Sequence, residues 1–271
     1  LLGAGALVNL DVNECSVANN DTINIGYTLA QTIDGTSTLT LGAVNTVDVI
    51  DASGVTSAST NLALIGNGIA NTITGGAGVD TITGGVAADQ LTGGGSLDRF
   101  NYANGDSAFT IGGAGDNGTI TLGDNITDFA LGTAASNSEL IAGTTQAYTV
   151  GTAAWAATGV DSNLTVGGAD VDASLTTVTN GIASFSLVGG AAVTINASAT
   201  LAAVVEMLNL SDIGAAGTSL AFTGGFGGST YTWLFTHQGA TAGGNLIQLD
   251  GVTATSVSAT NANTAGLLAI G

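Results

Sequence analysis

Four side chains of one chemical type recur at a fixed interval: Asn71, Asp80, Asp89 and Asp98 stand nine residues apart. Each holds position six of a nonapeptide, and the four units GNGIANTIT, GGAGVDTIT, GGVAADQLT and GGGSLDRFN run without a gap from residue 66 to 101. Against the pattern G-G-x-G-x-D-x-U-x, with U a large apolar residue, the second unit fits throughout. The third and fourth keep Gly84-Gly85 and Gly93-Gly94, but carry Ala87 and Ser96 where the second has Gly78. The first has Asn67, Ile69 and Asn71 in place of Gly, Gly and Asp. The leading glycines permit a tight turn at positive φ, where a Cβ would clash. The x-U-x that follows is long enough for one short strand with a single inward side chain, here Ile73, Ile82, Leu91 or Phe100. Two units make one coil, so 66–74 stacks on 84–92 and 75–83 on 93–101, on opposite sides of a parallel roll. Asp80 then lies opposite Asp98, and Asn71 opposite Asp89. Their side chains, with the backbone of Gly75, Gly76, Gly78, Gly84, Gly85, Gly93 and Gly94, offer hard oxygen ligands and no nitrogen or sulfur. That donor set selects Ca2+. Asn71 brings one neutral oxygen where Asp brings two charged ones, so its site is the weaker.

The composition narrows the partners. Of 271 residues one is a Lys or Arg (Arg99), 20 are acidic and none is proline, giving a formal charge of −19. A chain with one cation cannot neutralise phosphates, which excludes a nucleic-acid surface, and it has no basic residues with which to adhere to an anionic membrane. Charged residues are 8% of the chain, against roughly a quarter in an average soluble protein. The hydrophobic content of 45% is too high for disorder. The longest apolar stretch, Leu1 to Val8, contains two glycines and is too short to span a bilayer. Cys15, the single cysteine, cannot form an internal disulfide and reads as a small core residue.

The elements that must position the repeat read as all-β. Short strands are expected at Thr32-Ile33, Leu39-Thr40-Leu41, Val44, Val47-Val49-Ile50, 119–122, 147–151, 164–167, 183–188 and 192–196. One short helix is expected near 200–209, capped by Ser198 or Thr200, with Leu201, Val204, Val205 and Leu208 forming its apolar stripe. Tyr231, Trp233 and Phe235 alternate and so share one face of a strand. The fold expected is a short parallel β-roll flanked by β-sandwich-like or β-solenoid segments. Its divisions are an N-terminal β segment (1–46), the roll with its closing segment (47–129), and a C-terminal β-rich domain (130–271).

The repeat resembles the hemolysin-type (RTX) calcium-binding nonapeptide of bacterial proteins exported by type I secretion. Gly105-Asp106-Ser107 and Asp124-Asn125-Ile126-Thr127-Asp128-Phe129 look like the segment that closes the roll in that family. Val47-Asp48-Val49-Ile50-Asp51-Ala52-Ser53 looks like the approach to the roll in RTX-bearing surface-layer proteins. Ser229–Phe235 followed by Asn245–Val252 is similar to their C-terminal hairpin. The resemblance implies a secreted protein of a Gram-negative bacterium, located outside the cell or on its surface, whose uncleaved export signal includes the tail from Asn261 to Gly271.

No catalytic set accompanies the roll. His237 has no companion ligands for zinc, and neither H-E-x-x-H nor G-x-S-x-G occurs. The pairs Asp170/Asp172 and Asp124/Asp128 read as turn or calcium residues before glycosidase acids. Arg99 is expected to form a buried ion pair or to cap the roll. The function expected is therefore a non-enzymatic, extracellular, calcium-dependent structural protein that assembles with copies of itself into a surface layer, sheet or filament. Two alternatives stand beside it: an adhesin or biofilm-matrix module binding cell-surface polysaccharide or another surface, and the secretion-and-calcium part of a larger RTX enzyme.

Overall fold

The computed structural model describes residues 21–27, 36–40, 47–132, 140–143, 149–150, 163–211, 213, 216–237, 244–259 and 267–271. Within them the chain is β-structure with one short helix. Eight strands build the first half: β1 (Asp21–Tyr27), β2 (Thr36–Thr40), β3 (Val47–Val55), β4 (Asn61–Ile65), β5 (Thr72–Thr74), β6 (Thr81–Thr83), β7 (Gln90–Thr92) and β8 (Arg99–Tyr102). Odd-numbered strands stack in parallel in one sheet and even-numbered strands in another. Each unit therefore pairs with the next but one, as the two-unit coil requires.

The remaining strands extend both sheets. An antiparallel hairpin, β9 (Thr110–Gly112) with β10 (Thr119–Thr121), projects from the roll. The chain returns as β11 (Asn125–Ile126) beside β7, and as β12 (Leu140–Gly143) beside β8. Then come β13 (Thr149–Val150), β14 (Val171–Thr179), β15 (Ile182–Leu187), α1 (Ser198–Leu210), β16 (Thr218–Phe226), β17 (Ser229–Thr236), β18 (Asn245–Asp250), β19 (Val257–Ala259) and β20 (Leu267–Ile270). The first sheet reaches eleven strands in the order β1-β3-β5-β7-β11-β18-β17-β16-β15-β14, with β13 against β16. The second has seven, β2-β4-β6-β8-β12-β20-β19.

Two apolar ladders face each other inside the roll. Ile50, Ile73, Leu91, Ile126 and Leu249 lie in register on one sheet, and Leu64, Ile82, Phe100, Ile141 and Leu268 on the other. All ten are fully buried. The Thr residues that flank Ile73 and Ile82 are half-buried, so each three-residue strand commits one side chain to the core. β-Branched neighbours suit that pleated, half-covered surface.

The helix is buried almost all round, at Leu201, Ala202, Ala203, Val204, Val205, Met207 and Leu208, more than the expected stripe; such a helix belongs in an interior. It packs in a second core with Phe185, Phe222, Trp233, Phe235 and Leu246. Tyr231 lies against Trp233 on the same strand face, the rings tilted by 38° with centroids 5.5 Å apart. The expected side-chain cap is absent: α1 starts at Ser198 behind an extended Ala197 that caps no backbone group. Tertiary contact fixes this end instead, since the Gly225 N–H donates to the Ile195 carbonyl just upstream (2.9 Å). Two expected strands shrink to isolated bridges: 164–167 to Leu164 with Gly115 and Val166 with Ala169, and 192–196 to Ala192 with Ser186. Gly167 and Gly168, both at positive φ, turn the first of them back on itself. Thr32-Ile33 and Val44 lie outside the described residues. Among the described residues no helix is long and apolar enough to cross a membrane.

A leucine whose every side is packed has no room to relax. Leu91→Ala is expected to lower stability by about 2–5 kcal/mol, while Gln90→Ala, its exposed neighbour, should stay within about 0.5 kcal/mol. Denaturant unfolding of the two variants checks this; equal midpoints would contradict the ladder.

Candidate metal centre

The turn before each short strand brings the position-six side chain back against the coil below. Asp98 Oδ1 accepts from the Asp80 N–H at 2.7 Å, and Asp80 Oδ1 from the Leu62 N–H at 2.8 Å. On the other side Asp89 Oδ1 accepts from the Asn71 N–H at 2.7 Å. The two pairs expected from the spacing, Asp80 with Asp98 and Asn71 with Asp89, are thus brought together in consecutive layers. Within its own turn Asp80 Oδ2 accepts from the Gly76 N–H (2.6 Å), as Asn71 Oδ1 does from the Asn67 N–H (2.9 Å).

The glycines serve a purpose that the repeat alone does not disclose. Of the seven singled out, only Gly85 (φ 105°) and Gly94 (φ 98°) are left-handed. At position four Ala87 (φ 97°) and Ser96 (φ 72°) take that conformation despite their side chains. Gly75 and Gly84 are glycine because of close approach. A Cβ on Gly75 would strike the Gly93 carbonyl and stand 2.6 Å from Asp80 Oδ2; one on Gly84 would strike Asp89 Oδ2. A Cβ on Gly78 would meet the Thr60 carbonyl. Main-chain and carboxylate oxygens therefore crowd the same small spaces. The Gly76 carbonyl accepts from the Gly95 N–H at 2.8 Å, and the N–H groups of Gly93 and Gly94 donate to the two oxygens of Asp128, both at 2.8 Å.

Three acidic residues at the site fall outside the nonapeptides. Asp124 Oδ1 accepts from the Asp89 N–H at 2.9 Å, continuing the Asn71–Asp89 ladder by one layer. Its separation from Asp89 is 35 residues, where Asp80 and Asp98 are 18 apart, because the β9–β10 hairpin intervenes. Asp128 caps the fourth turn as described, and Asp106 Oδ2 accepts from the Ala103 N–H at 2.6 Å. The closing-segment motif named Asp124 and Asp128 in the sequence, and the interrupted period concealed their place. Arg99 is exposed, which overturns the buried ion pair. It adjoins the inward Phe100 and so points outward, and β12 continues the sheet past β8, so nothing is capped there.

The electrostatics are those of carboxylates held out of water. Burial pushes Asp89 and Asp98 up to about 7 and Asp124 up to about 8, and it raises Asp80 and Asp106 as well. Neighbouring charges add to this: Asp80 and Asp128 act on Asp98, and Asp89 and Asp106 on Asp124. Oδ2 of Asp89 and of Asp98 is buried with no hydrogen-bond donor. Asp124 Oδ2 makes no hydrogen bond of good geometry, although the Tyr102 hydroxyl lies close enough to favour its anion. Orphaned buried anions of this kind require a proton or a metal ion. Among the described residues no three His, Cys, Asp or Glu side chains converge on one point. An ion here would draw on carboxylates in pairs and on main-chain carbonyls, an all-oxygen set that fits calcium. No family model matches the chain, and no curated protein matches it.

The raised carboxylates fix the sign of a pH effect in metal-free protein. Between about pH 4 and pH 8 the folded state holds protons that the unfolded state has released, so stability is greatest below the ordinary carboxylate range and falls as pH rises through 7 to 8. Denaturation in excess chelator should give a lower midpoint at pH 8 than at pH 5, and saturating calcium should remove the difference. Equal midpoints in chelator would refute the burial of these carboxylates.

Proposed function

We propose that this chain is an extracellular, calcium-dependent structural protein that assembles with copies of itself into a surface layer or a related sheet or filament. The observation that carries the reading is the ladder of buried carboxylates in which Oδ2 of Asp89, Asp98 and Asp124 makes no hydrogen bond of good geometry, in a chain with one Lys or Arg. Calcium would supply the missing positive charge and bridge successive coils. Asp80, Asp89 and Asp98, with Asn71 and the carbonyl-lined turns of Gly75, Gly76, Gly78, Gly84, Gly85, Gly93 and Gly94, would hold it. Extracellular sites of the weak class fill at about 10⁻⁴–10⁻³ M calcium, so the roll would stay open inside a cell and close outside it. The RTX resemblance gives the same location, with export by type I secretion from a Gram-negative bacterium.

Self-assembly is supported by the ends of the sheets. Among the described residues β1 and β2 end their sheets with one edge unpaired, as do β14 and β19. The chain has no lysine or proline with which to blunt such edges. At a formal charge of −19 two copies repel each other, and a divalent ion that neutralises carboxylates relieves that repulsion.

Electron microscopy of purified full-length protein tests the reading. Ordered sheets or filaments are expected in millimolar calcium and their loss on chelation, whereas sodium chloride above about 0.15 M should do little because exposed charges are already screened. Arrays that outlast prolonged chelation would overturn the calcium dependence; a monomer at every calcium concentration would overturn the assembly.

A further inference from the structure

The strand that Asp124 leads into stands between the roll and the C-terminal sheet. β11 pairs with β7 on one edge, Asn125 beside Gln90 and Ile126 beside Leu91. On the other edge it pairs with β18, Asn125 beside Gln248 and Ile126 beside Leu249. Asp124 is tied to both. Its carboxylate reaches the Asp89 N–H, its carbonyl accepts from the Gln248 N–H at 2.9 Å, and its own N–H donates to Ser107 Oγ at 2.7 Å. Ser107 in turn donates from Oγ to the Leu246 carbonyl and accepts at its own carbonyl from the Leu246 N–H, both at 2.9 Å. Asn125 adds a bond from Nδ2 to Asp250 Oδ2 at 2.9 Å.

We propose that Asp124 and Asp89 together bind a divalent cation in a layer beyond the nonapeptides, and that this ion fastens the C-terminal sheet to the roll. The inference rests on the calcium reading above and extends it to a residue outside the repeat. Two observations carry it. Asp124 repeats the station of the position-six aspartates, with Oδ1 on the backbone N–H of the coil below, at a distance matching Asp98 on Asp80 and Asp89 on Asn71. Both carboxylates are also inside the protein, Asp124 at 0% and Asp89 at 2% exposure, each with a buried Oδ2 that makes no hydrogen bond of good geometry. The Asn71–Asp89 layer below has one charged partner, whereas this layer has two. It is the stronger site on that side of the roll. Asp106 stands near enough to act on both charges and deepens the negative potential. Three carboxylates do not converge, so the remaining ligands are neutral oxygens.

Calcium titration calorimetry of the full chain, with Asp124→Asn and Asp98→Asn, decides the matter, together with amide hydrogen exchange over residues 245–250. Asp124→Asn should lose one class of calcium site or weaken it at least tenfold while the Asp98 site remains, and calcium should no longer protect the β18 amides. Asp98→Asn should do the reverse. Parent-like binding and β18 protection in Asp124→Asn, with a deficit in Asp98→Asn, would overturn this inference and leave the repeat sites standing. No calcium binding by the parent would overturn the calcium reading itself. Should Asp124→Asn not fold, terbium serves as the probe. Tyrosine-excited terbium emission from the parent should fall in Tyr102→Phe, because Tyr102 adjoins Asp124; unchanged emission would overturn the site.

Discussion

Burying an anion without a partner is among the most expensive arrangements a protein interior can hold, and this chain buries several in file. Asp80, Asp89, Asp98 and Asp124 lie at 2% exposure or less, while the single cation of the Lys/Arg type points to solvent from β8. Everything near the turns follows from that constraint. Backbone N–H groups are aimed at both oxygens of Asp80 but at only one oxygen of Asp89, Asp98 and Asp124, whose second oxygens make no hydrogen bond of good geometry. A fold built this way is conditional on its surroundings. Because burial raises its carboxylates, its stability varies with pH as well as with its apolar ladders.

Those ladders explain why the arrangement is tolerable. Each three-residue strand contributes one inward side chain, and in-register stacking of Ile73 on Leu91 and Ile82 on Phe100 makes a continuous dry core from very short pieces. The coil has no space for a bulkier turn. Gly75 and Gly84 pass so close to carbonyl and carboxylate oxygens that a methyl group would displace them. Glycine is thus selected here by approach between coils more than by φ, while Ala87 and Ser96 bear the left-handed strain at about 1–3 kcal/mol each. The same closeness that excludes side chains places oxygens where a hard cation would need them.

Much of the roll was legible because its period is local. Nine residues per strand and turn, one large apolar residue per unit and one Asx before it specify which strands pair and which side chains meet. The helix was legible through the spacing of Leu201, Val204, Val205 and Leu208, though not its start, which depends on packing around Ile195 and Gly225. Asp124 was named within a motif but not placed, since a hairpin interrupts the count between it and Asp89. The pairing of β11 with β18 could not be read at all. Asn125 and Gln248 carry no complementary signal in sequence; only closure of the sheet in three dimensions makes them neighbours.

That difference in range also orders the way such a molecule can form. Layers of the roll join residues 18 apart, so each new coil closes a short loop at small entropic cost. The bonds that join the roll to the C-terminal sheet span far more chain, from Ser107 to Leu246 and from Asn125 to Asp250, and long-range β pairing is intrinsically slow. The roll's exposed β7 edge offers a template for β11, and β11 then offers one for β18. Asp89 stands immediately before that edge, a buried carboxylate with one oxygen that makes no hydrogen bond. Local closure of the roll is thus entropically cheaper than docking of the C-terminal sheet, and the buried carboxylates along the roll add a desolvation cost that the apolar ladders must offset.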